Sequence, residues 1–294
     1  MVRLKKIKSK LMFKIVKKYL NAFLYNRRRK KELDSLKFGL NENEYFLISY
    51  PKSGNTWLRI ILSNLISEDK KLEIAFHNCG EFIPDSHIQG QRELIINKKS
   101  KFNRLPVKIV KSHDRFKSFF KKRKVIYIVR NGESVLISLY YYLKARNNNE
   151  IALESIHKNG GSHSYGTWNK HVLRWLYNSI YIVQYENLKK DPENEILNLC
   201  KYLSIKVNQE EIIRVIENSS FNRMKSLEEK YGYNNDTRVN SAKKISFVRK
   251  GSIVNNDIDI PQRITTQLSQ QYKKIRHLLN QIKANEVEKQ KRNL

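Results

Sequence analysis

Residues 45–57 read YFLISYPKSGNTW, and their reading decides the fold. The opening YFLIS is a short, unbroken apolar run, the form taken by a strand buried on both faces of a parallel sheet. It passes through YPKSGNTW (50–57) into TWLRIILSNLI (56–66), an amphipathic helix. Open α/β sheets bind ligands where a loop leaves the carboxyl end of a strand and enters a helix N-terminus, and the free amides and dipole there favour an anion. Gly54 lets the backbone come close, the amides of residues 53–57 converge, Ser53, Asn55 and Thr56 supply further donors, and Lys52 adds a mobile positive charge. The loop is not a Walker A sequence, which needs G-x-x-x-x-G-K-[ST], because Lys52 precedes the only glycine. No later strand ends in Asp either; the subsequent runs lead into Lys111, Arg130 and Tyr185, which argues against an ordinary nucleoside triphosphatase.

Working outward, three more apolar runs read as strands: VKIV (107–110), VIYIV (125–129) and SIYIV (179–183). Helical stretches follow, NGESVLISLYYYLKAR after the third run and DPENEILNLCKYL after the fourth, the latter with Asp191 as N-cap and Pro192 at the first helical position. Repeated strand-loop-helix units predict an α/β domain, a three-layer α/β/α arrangement around a central parallel sheet. Residues 231–260 are rich in Asn, Asp and Ser and read as a long loop over the sheet edge. Helical patterning resumes from Pro261 to about Ile282, and the last dozen residues read as a frayed end. The expected organisation is a basic, helical extension (1–40), one domain (41–285) and a flexible tail (286–294).

The chain has 294 residues, 58 Lys and Arg against 28 Asp and Glu, and a formal net charge of +30. Acidic partners are favoured: nucleic acid, an anionic membrane or a phosphorylated small molecule. Cys79 and Cys200 are the only cysteines, too few for a disulfide framework and not in metal-ligand spacing, so a reducing, cytoplasmic setting without structural zinc is expected. The N-terminal MVRLKKIKSKLMFKIVKKYLNAFLY is broken by lysines and reads as neither signal peptide nor membrane span. Ile7, Leu11, Ile15, Leu20, Phe23 and Leu24 recur near helical spacing, which suits peripheral contact with an anionic bilayer through residues 1–30 or packing on the chain's own domain.

YPKSGNTW resembles the 5′-phosphosulfate loop (PKSGTTW in many members) of the sulfotransferases that use 3′-phosphoadenosine-5′-phosphosulfate (PAPS), with Asn55 in place of Thr. VIYIVRNGESVLISLYYY resembles the same family's 3′-phosphate motif, which implies Arg130 and Ser138 as phosphate ligands; Arg offers a planar fork to phosphate oxygens. VKIVKSHDRF resembles its K-T-H segment and implies His113 as catalytic base beside Lys111. SYGTWNKHVLRW resembles the segment before the family's fourth strand, IVQYENL places Tyr185 near the nucleotide, and NSSFNRMK places Ser220 and Phe221 at the adenine, with Trp57 stacking on the base. FVRKGSIVNND resembles the R-K-G-x-x-G-D-W loop, giving Arg249, Lys250 and Gly251 to the 3′-phosphate, though the second glycine and the tryptophan are missing. The resemblance runs from about residue 45 to 255.

It implies in-line transfer of the sulfuryl group from PAPS to an acceptor oxygen without a metal, with adenosine 3′,5′-bisphosphate (PAP) leaving. Lys52, Lys111 and the loop amides would neutralise developing charge while His113 takes the proton. The acceptor implied is a hydroxyl, or an amine, of a glycan, glycolipid or small metabolite; the style of FLISYPKSGNTWLR and EFIPD looks nearer to bacterial-type members than to animal phenol and steroid enzymes. Residues 145–165 are expected to help shape its pocket. Two other readings stay open on the sequence, a nucleotide or nucleoside kinase on a related scaffold and a basic binding protein with a vestigial site.

Overall fold

The computed structural model describes residues 2–97, 101–147, 152–160, 165–178, 180–232 and 258–292. Among these residues four strands form one sheet: β1 (Tyr45–Ser49), β2 (Ile109–Ser112), β3 (Lys124–Val129) and β4 (Tyr181–Gln184). Their order is β2-β1-β3-β4 and every pairing is parallel, so this is the central parallel sheet of an α/β fold, flanked by helices. β2 runs further than its apolar run, because Lys111 and Ser112 continue the register opposite Leu47 and Ile48 of β1.

Register decides what the sheet presents. Ile48 pairs with both Ser112 and Tyr127, Ser49 with Ile128, and Val129 with Gln184. The carboxyl ends of all four strands therefore lie along one edge, where the chain continues as the loop 50–54, His113, Arg130 and Tyr185. β1 connects onward to β2 on one side while its other neighbour, β3, connects onward to β4 on the opposite side; the boundary between β1 and β3 is the switch point at which doubly wound sheets bind ligands.

The long N-terminal helix α1 (Val2–Ser35) precedes the sheet, and α2 (Asn55–Ile66) follows β1. Later helices include Gly132–Asn147, Trp168–Leu176, Tyr185–Lys190, Pro192–Leu203, Phe221–Tyr231 and Gln262–Arg292. Asp191 caps its helix as its sequence predicts, its carboxylate accepting from the amide of Asn194 at 3.2 Å with Pro192 behind it. The final helix continues to Arg292, past Ile282 where the apolar pattern stops, because Ala, Glu, Gln, Lys and Arg are all good helix formers. Most of the loop read between 231 and 260, with Arg249, Lys250 and Gly251, lies outside the described residues.

Phe46, Ile48, Ile126, Tyr127 and Ile128 form the centre of the core together with Leu58, Ile61 and Trp175 from the flanking helices. Leu33, Leu36 and Leu40 join the same core, so the C-terminal end of α1 and the turn after it pack on the domain.

Candidate active site

The loop after β1 is held in an unusual backbone shape. Lys52 has φ 67° and Gly54 φ 99°, both left-handed, and α2 begins one residue later. A Cβ at Gly54 would lie 2.5 Å from Cδ2 of Tyr185, so glycine is needed for both its torsion and its space. The amide of Ser53 donates to the carbonyl of Tyr50 at 3.3 Å, which removes it from the convergent set expected for residues 53–57. By helix geometry, the first-turn amides of Asn55, Thr56 and Trp57 have no intrahelical acceptor. The buried Ser53 hydroxyl and Asn55 Oδ1 have no hydrogen-bond partner among the described residues. Asn55 is not a free side-chain donor, since its amide donates to Ser49 Oγ at 3.1 Å. Thr56 is half-buried at the start of the same helix.

His113 stands one hydrogen bond away. Its Nδ1 lies 2.9 Å from the Ser49 carbonyl, which can only accept, so Nδ1 carries the proton and Nε2 keeps its lone pair. Burial, followed by the nearby Lys111 charge, holds its pKa well below the usual histidine value, so the ring is neutral at physiological pH. Its backbone is clamped as well: the His113 amide donates to His87 Nε2 at 3.2 Å, and His171 Nε2 donates to the His113 carbonyl at 3.2 Å. The Tyr127 hydroxyl donates to His171 Nδ1 at 2.9 Å, which fixes that tautomer. The rings of His87 and Tyr165 lie 6.3 and 5.8 Å from His113, centroid to centroid.

Asp114, the next residue, is 3 % exposed and meets Arg29 of α1, 1 % exposed, through Nη2 at 2.7 Å and Nε at 3.0 Å. Arg29 also donates to the carbonyl and hydroxyl of Ser86, each at 2.7 Å. Lys111 is buried and donates to Asp85 at 2.6 Å, so its charge is already compensated within the fold, not presented alone to a reacting group. Burial pulls its pKa down against Asp85, whose carboxyl the Lys111 charge holds far below the carboxylate range despite burial.

Along the same edge the Arg130 guanidinium lies 4.2 Å over the ring of Tyr185 and donates to the Lys52 carbonyl at 3.4 Å. Lys52 Nζ sits 4.8 Å over Tyr142, on the helix that also carries half-buried Ser138 two turns after Arg130. Trp57 meets Tyr185 edge-on at 5.5 Å, and its indole donates to the Ser219 carbonyl at 2.9 Å. Ser220 is occupied as a helix N-cap, accepting from the Arg223 amide at 3.2 Å, while Phe221 is 37 % exposed. The structure thus joins Lys52, Gly54, Trp57, Arg130 and Tyr185 into one cluster and sets His113 against the loop through Ser49. His87, Tyr165 and the Arg29–Asp114 pair were not found from sequence, because their partners lie far along the chain; only Asp114, adjacent to His113, gave a local signal.

A sulfotransferase domain model matches residues 42–287. The chain belongs to the sulfotransferase family. Among curated relatives of this sulfotransferase, a 3-alpha-hydroxysteroid sulfotransferase of Cavia porcellus is 32 % identical over 65 % of the chain and 69 % of the relative. Sulfotransferase 1E1 of Rattus norvegicus is 28 % identical over 81 % and 84 %. Mouse sulfotransferase SULT7A1, solved with PAP, superposes with a TM-score of 0.61 at 22 % identity, covering 85 % of this chain and 93 % of that one. Animal steroid-type enzymes thus stand among the matches, so the bacterial flavour of the opening loop does not set the acceptor.

Proposed function

We propose that this sulfotransferase takes PAPS as donor and transfers its sulfuryl group to a hydroxyl of a ring-bearing acceptor, a glycan, glycolipid or small metabolite, with His113 as base. The observation that carries the reading is the buried Ser53 hydroxyl, without a partner among the described residues, between left-handed Lys52 and Gly54, on the edge where His113 keeps an Nε2 lone pair. A buried hydroxyl without a partner is costly, and an oxyanion in the loop would satisfy it. PAPS fits the cluster: the loop amides, Ser53 and Lys52 face its 5′-phosphosulfate, Arg130 and Ser138 its 3′-phosphate, and Trp57, Tyr185, Ser220 and Phe221 its adenine. Arg249, Lys250 and Gly251 complete the 3′-phosphate contacts in this proposal.

Nε2 of His113 takes the hydroxyl proton as the acceptor oxygen bonds to sulfur and the bond from sulfur to the PAP oxygen breaks; the proton then leaves to solvent. Lys52 and the first-turn amides of α2 stabilise charge on the departing oxygen. The depressed pKa of His113 keeps it in the proton-accepting state. The rings of Tyr165 and His87 lie beside the base, which suits an acceptor carrying a ring. The same proposal places the protein in a reducing cytoplasm, where buried Cys79 and Cys200 stay as thiols, with residues 1–30 in peripheral contact with an anionic membrane.

The test is isothermal titration of PAP against ADP in EDTA. Tight binding of PAP and weak binding of ADP are expected; no preference, or binding only with magnesium, would return the phosphate-loop kinase reading, and binding of neither alongside salt-dependent nucleic-acid binding would favour a vestigial site.

A further inference from the structure

Sulfate transfer does not account for the outer face of α1. Phe13, Val16, Tyr19, Leu20, Phe23 and Leu24 are all exposed, from 50 % at Leu24 to 72 % at Tyr19. They recur three and four residues apart, so they line one side of the helix as a stripe. Lysines at 5, 6, 8, 10, 14, 17 and 18 interleave with apolar residues in the same segment, on a chain of net charge +30. No helix among the described residues is long and apolar enough to cross a membrane.

We propose that α1 lies in the plane of an anionic bilayer, with this stripe in the acyl boundary, and thereby holds the active site at a lipid surface. What is held rests on the transferase reading; the docking does not. A bilayer of anionic lipid supplies an apolar layer for the stripe and, in its headgroups, counter-charge for a lysine-rich segment. A second copy of the chain would bring two lysine-rich helices together, setting like charges against each other.

The helix joins this surface to the site. Its exposed segment ends where Tyr25 becomes half-buried. One turn later Arg29 is bonded to Asp114, adjacent to His113. From Leu24 to Arg29 the helix rises about 7 Å, so the end of the stripe lies little more than one turn from the residue that α1 bonds beside the base.

Co-sedimentation of the full chain with vesicles of phosphatidylcholine, with and without phosphatidylglycerol, tests this. Binding should be about ten-fold tighter or more with phosphatidylglycerol and weaken in high salt. The variant Phe13→Ser/Phe23→Ser should lose about ten-fold of that binding while its PAP titration is unchanged, which separates this idea from the donor assignment. Because Cys79 and Cys200 are buried, a bimane label can be placed selectively on Phe23→Cys or on Asn21→Cys, exposed on the other side. Nitroxide lipids should quench the first label and spare the second. Equal affinity for both vesicle types, no vesicle binding, equal quenching of the two labels, or a dimer that the double variant dissolves would overturn the proposal.

Discussion

Replacing Arg29 by Met should destabilise the whole protein even though most of the described side chains before it in α1 are exposed. The guanidinium is 1 % exposed and gives hydrogen bonds to both Asp114 oxygens, to Ser86 O and to Ser86 Oγ. Removing it leaves Asp114, itself 3 % exposed, with Ser112 Oγ at 2.7 Å and Lys117 Nζ at 3.3 Å as remaining partners. Removing one member of a buried ion pair costs about 3–5 kcal/mol, because the desolvation of the other is then offset only in part. For a chain of this size that lowers the melting temperature by roughly 10 °C. Urea denaturation of wild type, Arg29→Met and Arg29→Met/Asp114→Leu would measure it, and the double variant should recover much of the loss since no charge is left buried. Arg28→Met is the control: Arg28 meets Glu32 at 3.0 Å but is 76 % exposed, so the loss should be below about 1 kcal/mol. A single variant within about 1 kcal/mol of wild type would refute the assignment of this pair as the fastening of α1.

Four further outcomes are expected. His113→Ala should lower turnover by about 10²- to 10⁴-fold with donor affinity little changed, and a variant with near-full activity would remove the histidine from the reaction. Arg130→Ala should weaken PAP by about ten-fold or more, as loss of a charge-assisted hydrogen bond does, while ADP changes little; equal losses for the two nucleotides would contradict a 3′-phosphate contact. Gly54→Ala places a methyl against Tyr185 at φ 99°, so a stability loss of about 1–3 kcal/mol with weaker PAP binding should be seen in thermal melts and titration, and a silent substitution would show the loop to be more tolerant than its geometry. Acidification should destabilise the fold. Burial pushes His87 and His171 down to about 4, below the unfolded value near 6.5, so their stabilising contribution is full above 6.5 and lost as pH falls towards 4. Each depression corresponds to about 3 kcal/mol, and the urea midpoint at pH 4.5 should lie well below that at pH 7.5; an unchanged midpoint would mean these rings are not buried neutral.

The fold was legible where its signals are local. YFLIS, VIYIV and the helices after them announce themselves through unbroken apolar runs and helical periodicity, and Asp191 with Pro192 marks a helix start within two residues. The candidate anion loop was readable for the same reason, its chemistry being concentrated in YPKSGNTW. The helical pattern of residues 7–24 was readable too, but whether its apolar side meets the domain or solvent was not, because a hydrophobic stripe looks the same in either setting.

Sequence alone thus determined the strand-loop-helix units, the anion loop and the residue types lying at strand ends, because backbone periodicity and turn chemistry are written in neighbouring positions. Tertiary structure decided what those residues do to one another. The partner of Lys111 is Asp85, the His113 amide rests on His87, and Asp114 is tied to Arg29 across 85 positions. The proton on His113 Nδ1 follows from a carbonyl on β1, 64 positions away. Such choices depend on which side chains the packed sheet brings within about 3 Å and away from water, and a hydrogen bond of that length carries no periodic trace in the chain.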